Sequence, residues 1–154
     1  MLMQYYKIFL QLEQDNAPVL ETIEDFGFYC MDIPFTMVNK MKEPASRTWY
    51  DEHGDDEYVP SDGLYASSYE MQIKFGYKGD KFGATQALMV LLAYLRSGGL
   101  MKMYCDYTGI GRQHVRFVSI DNDAELVRDE TGDLLVVKLT FKVNDPITDV
   151  ELSK

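Results

Sequence analysis

Residues 69–77, YEMQIKFGY, alternate without a break. Tyr69, Met71, Ile73, Phe75 and Tyr77 fall on one side, and Glu70, Gln72, Lys74 and Gly76 fall on the other. Successive side chains of a strand point to opposite faces, so this stretch demands a strand with one buried and one wet side. Residues 125–143, ELVRDETGDLLVVKLTFKV, repeat the demand as two strands joined through ETGD, a hairpin signal. In the second arm Leu135, Val137, Leu139, Phe141 and Val143 share one face.

Between these strands the period changes. KGDKFGATQALMVLLAYLRSGG, residues 78–99, carries Ala84, Ala87, Leu88, Leu91, Leu92 and Leu95 as a stripe at helical spacing. Asp80 is the expected N-cap, Arg96 suits the negative end of the dipole, and Gly98 and Gly99 stop the helix. The opposite face, Gln86, Met89, Val90, Ala93 and Tyr94, is unusually apolar, which makes Met89 and Tyr94 candidates for contact with another subunit.

The rest of the chain reads mainly as short strands. Tyr6, Ile8, Leu10 and Leu12 alternate within 5–12, and DNAP at 15–18 is a turn. Residues 19–30, VLETIEDFGFYC, can start helical and finish extended around Gly27; extended structure is favoured from Phe26 to Asp32, ended by Pro34. Residues 100–107 alternate, 108–111 form a turn or glycine bend, and 112–120 read as a strand with mixed faces. From Thr36 to Tyr65 periodicity is lost, with Pro44, Gly54, Pro60 and Gly63 as breakers. One amphipathic helix can cover one face or open end of an antiparallel sheet. The expected fold is therefore α+β: a mainly antiparallel curved sheet or small β-barrel, one packed helix at about 81–97, and a long loop at about 36–65. At 154 residues, a single domain spanning 1–154 is expected.

Charge narrows the partners. The formal net charge is −10, and no cationic footprint for phosphates is visible, so neither sequence-specific nucleic-acid binding nor an anionic membrane surface is expected. No apolar run approaches the ~20 residues of a membrane helix. The first residues, MLMQYYKIFLQLEQD, lack a basic n-region and a small-residue cleavage site, so no signal peptide is expected. Cys30 and Cys105 stand 75 positions apart without CxxC or Cys/His spacing, and read as free buried thiols.

The long loop holds the most unusual composition. RTWYDEHGDDEYVP, residues 47–60, packs Asp51, Glu52, Asp55, Asp56 and Glu57 around His53, with Trp49, Tyr50 and Tyr58 at its ends. DEHGDDE lacks the ligand spacing of a helix–loop–helix calcium loop and no helices flank it, so no metal site or cofactor is assigned. A merely solvated charge run has no need of three large rings, whereas interfaces use Trp and Tyr as anchors. Trp49, Tyr50, Asp51, Glu52, Asp55, Asp56, Glu57 and Tyr58 are thus the leading interface candidates. Cys105 and His114 form the only pairing that suggests nucleophilic catalysis, and Cys105 falls on the side of Met101 and Met103, which reads as core. YKGDKFG and YTGIGR match no phosphate motif. No catalytic residue is assigned.

Taken in order, RTWYDEHGDDEYVP, YEMQIKFGYKGDKFGA, the helix, KMYCDYTGIGRQHVRFV and TFKVNDP resemble small tail or neck components of tailed bacteriophages and prophages, of the tail-tube, tail-terminator or distal-tail type. The resemblance spans about residues 45–150 and rests on style and element order. It implies a β-rich fold with one helix on the sheet and a non-enzymatic role. It also implies rings, often hexameric, that meet other tail or neck proteins in the virion or, during assembly, in the host cytoplasm. Residues 47–60 would then be an arm between subunits. Two other readings stay open: a monomeric barrel holding an apolar ligand beneath the loop, and a divalent-metal hydrolase built on its carboxylates.

Overall fold

In a computed structural model of the chain, residues 6–32, 40–121 and 123–154 are described. Among the described residues ten strands and two helices follow one another: β1 (Ile8–Leu12), β2 (Leu20–Glu21), α1 (Thr22–Phe26), β3 (Phe28–Cys30), β4 (Ser46–Arg47), β5 (Asp56–Glu57), β6 (Tyr69–Gly79), α2 (Gly83–Ser97), β7 (Met101–Cys105), β8 (Ile110–Ile120), β9 (Glu125–Asp129) and β10 (Gly132–Val143). The main sheet runs β2-β1-β7-β8-β10-β6-β3, and β9 pairs with the first half of β10. Every pairing is antiparallel. Tyr6 and Cys30 exchange two backbone bonds, N–H to O at 2.9 and 2.8 Å, which join the start of β1 to β3 and bring the sheet round on itself. The α+β fold with a curved, barrel-like sheet is the one the sequence predicts.

The alternation of β6 and β10 is the reason. Their register pairs Phe75 with Val137, Ile73 with Leu139 and Met71 with Phe141, so both apolar sides meet in one core. Phe28, Phe75, Phe141, Met101 and Met103 fill the interior, each at most 2% exposed. Burying such side chains contributes roughly 1.5–3 kcal/mol each. Helix α2 adds Ala84, Leu91 and Leu95 to the same cluster.

Several local expectations change. Residues 22–26 are helical, so Phe26 ends α1 rather than opening a strand, and Gly27 closes the helix in the left-handed region at φ 79°. Pro34, the expected strand terminator, and residues 36–39 of the loop lie outside the described residues, as do Met1–Tyr5. Asp80 does not cap α2. The helix starts at Gly83 after a left-handed Phe82, and the Ala84 N–H donates instead to the carboxylate of Asp133, 49 positions away, at 3.3 Å.

The C-terminal segment is tied to the outer side of the sheet. Register aligns Gly111, Tyr104, Phe9 and Glu21 as one row across β8, β7, β1 and β2. The Val150 N–H donates to Gly111 O, and Lys154 pairs with Asp25 just beyond Glu21, so the segment follows that row. A side chain at Gly111 would sit 1.9 Å from Val150 O, which explains the glycine. Phe9, outward on β1, is nonetheless only 7% exposed, and Leu152 is buried too.

Candidate functional site: an aromatic and acidic arm

The expected long loop is a β-ribbon. The Ser67 N–H donates to Lys40 O at 2.7 Å, Lys42 N–H to Tyr65 O at 2.8 Å, and Tyr58 N–H to Ala45 O at 2.8 Å. Between and beyond them Met41 bridges Ala66, Ser46 faces Glu57, and Arg47 faces Asp56. The pairing falls in two stretches, Lys40–Lys42 against 65–67 and Ala45–Arg47 against 56–58, with Glu43, Pro44 and the 59–64 segment between them. The turn-forming residues that break periodicity serve the ribbon: Gly63 N–H returns to Pro60 O at 3.2 Å, and Gly54 turns the tip at φ 76°. The tip is braced by Thr48, whose hydroxyl donates to Asp55 at 2.7 Å.

Every residue from Ala45 to Val59 is exposed. Trp49 is 46% exposed, Tyr58 74%, and Tyr50 is fully exposed. Arg47 lies over the Trp49 ring, 5.9 Å from its centre, and is the one cation among the tip's five carboxylates. Among the described residues, no group of three or more His, Cys, Asp or Glu side chains is placed to hold a metal ion. Trp49, Tyr50, Asp51, Glu52, Asp55, Asp56, Glu57 and Tyr58 therefore share one projecting element without converging on a point.

The two helix candidates separate. Met89 is 61% exposed beside an exposed Val90. Tyr94 leaves that face: its ring packs against Phe26, 5.3 Å between centres, and burial pushes its hydroxyl pKa up. Tyr94 is thus a margin of the core in this chain, not part of an open helix face.

Cys105 and His114 are not brought together. Cys105 is fully buried opposite Ile110, whereas the exposed His114 turns to Glu13, with Nδ1 2.9 Å from Oε2. Cys30 and Cys105 are both free and buried, and burial pushes the Cys30 thiol up to about 12, away from any nucleophilic role at neutral pH. Among the described residues, no helix is long and apolar enough to cross a membrane.

Sequence reasoning missed a second surface. The outward residues of β6, β10 and β8 include Lys74, Lys78, Lys138, Lys142 and Arg116, which lie scattered in sequence and become neighbours only through strand register. The signal was present as cations four apart, on one side of a strand, in KLTFK (Lys138 and Lys142) and in β6 (Lys74 and Lys78), but a charge count over the whole chain hides it. Against known proteins, the chain matches no family model and no curated sequence.

Proposed function

We propose that this protein is a non-enzymatic structural subunit that assembles with copies of itself through the 40–67 ribbon, as the resemblance to tail and neck components of tailed phages implies. The single observation that carries this reading is the ribbon itself: three large rings and five carboxylates on one element, all of them exposed, with Tyr50 fully so. Exposed aromatic residues at the end of a pre-paired ribbon are suited to anchoring in a neighbour, and the pairing lowers the ordering cost of docking. The carboxylates would fix register and partner choice against basic groups across the contact. Rings follow when such head-to-tail contacts close by rotation.

The other readings lack a comparable observation. The barrel interior is occupied by side chains of the core, and the acidic residues do not converge as a metal hydrolase needs. Deleting 49–58 and joining Thr48 to Val59 tests the reading by light scattering at micromolar concentration. The parent is expected as an oligomer and the deletion as a folded monomer with unchanged thermal midpoint. Oligomers of unchanged size in the deletion overturn the arm assignment.

A further inference from the structure

We infer that the arm's receiving site is the outer face of β6 and β10 on a second copy of this chain, where an apolar groove is set among cations; this rests on the assembly reading above. Register places Lys138 opposite Lys74, Lys142 opposite both Glu70 and Arg116, and Leu134 opposite Lys78. The intervening Leu135, Val137, Leu139, Phe141 and Val143 fill the core, so alternation sends these partners outward. Five of the chain's fifteen Lys and Arg residues thus stand on the outward side of three adjacent strands of a protein with net charge −10. Among the described residues none of the five forms an ion pair within 4.0 Å; the ion pairs use Lys7, Arg112, His114, Arg128 and Lys154. The carboxylates near this face are Asp32, which accepts from the Lys74 backbone N–H at 2.9 Å, Glu70 opposite Lys142, Glu125 opposite Val136, and Asp121 and Asp123 at the strand end by Lys138.

Between the Lys78 row and the Lys74–Lys138 row runs the row Val136–Gly76–Tyr29. It forms a groove of about 460 Å³ with Met31 and Leu134 on its walls. Gly76 keeps it open, since a methyl group there would come within 2.9 Å of Met31 Sδ. The groove is apolar and cation-rimmed; the arm tip is aromatic and carboxylate-rich. One chain carries both halves of this match, which favours a second copy over an unrelated partner. The arm leaves its own body at the start of β6, its rings stay exposed, and each copy offers one arm and one face, so the contact is heterologous and propagates.

Sedimentation velocity on two variants and their mixture tests this. Trp49→Ala with Tyr50→Ala and Tyr58→Ala removes the anchors at exposed positions. Lys74→Glu with Lys138→Glu reverses the receiving face, and Leu134→Glu, at an exposed groove position, replaces it if the reversal does not fold. Each variant alone is expected to weaken assembly by about tenfold or more. An equimolar mixture is expected to give dimers and nothing larger, because one intact arm meets one intact face and the remaining halves are defective. Raising salt from about 0.05 to 0.5 M is expected to weaken the parent's assembly, since exposed charges are screened. Face variants that assemble like the parent while the arm variant does not, or a mixture that stays monomeric, overturn the receiving face and leave the assembly reading standing. A parent that is monomeric throughout overturns both.

Discussion

Asp133 joins two elements that sequence separates. Its carboxylate accepts from Arg128 Nε at 2.7 Å and Nη2 at 3.0 Å and from the Ala84 N–H, with its own side chain fully buried. The Arg128 hydrogen bonds hold its pKa down, at about 2, below an ordinary 3.8. Asp145 is held at about 2 as well, first by the Gln113 amide and then by the Thr148 and Ile147 N–H groups. A carboxyl whose folded pKa is depressed stabilises the fold above its unfolded value, and that contribution is lost as pH falls through the folded one. The thermal midpoint is therefore expected to fall between pH 3.8 and about 2. Asp133→Asn with Asp145→Asn should start lower at neutral pH and change less across that window, as followed by circular dichroism. An equally steep acid transition in the double variant would sink the assignment. Arg128 also lies 4.3 Å from the centre of the Phe82 ring, steadying a left-handed residue at the start of α2.

At the scale of elements, the two faces of α2 make opposite demands. Leu91 is 1% exposed within the core and Met89 is largely exposed. Leu91→Ala is expected to cost about 2–5 kcal/mol through lost contacts and a residual cavity. Met89→Asp should stay within about 0.5 kcal/mol in the monomer, read by urea unfolding. Helical spacing made Leu91 legible as core, but it could not separate Tyr94 from Met89. That depended on α1 supplying Phe26 as a neighbour, and α1 itself was ambiguous in sequence because Gly27 permits both a helix end and an extended run. The cap of α2 was illegible for a related reason. Local chemistry pointed to Asp80, whereas the N–H found a carboxylate on the β9–β10 hairpin. The ribbon's rings and charges were legible as an interface candidate, yet its pairing was not, since β4 and β5 are two residues each and lack an apolar face to alternate.

The whole molecule is drawn together by its last residues. Arg112 pairs with Asp149, Val150 lies on Gly111, Leu152 is buried, and Lys154 reaches Glu24 and Asp25. Removing 147–154 should bare Phe9 and Tyr104 on β1 and β7 and lower the thermal midpoint, with faster amide exchange in 8–12 and 101–105. Unchanged exchange there would show that the segment covers nothing. Strand alternation in 69–77 and 135–143, the helical stripe, the free thiols and the composition of 47–60 were determined by sequence alone, because each is a local pattern with a fixed geometric period or a fixed chemistry. The tertiary structure alone decided which carboxylate caps α2, which side of the helix stays open, where the terminal segment lies and which scattered lysines stand together. Those outcomes depend on strand register and long-range contact, and a chain carries no local period that encodes them.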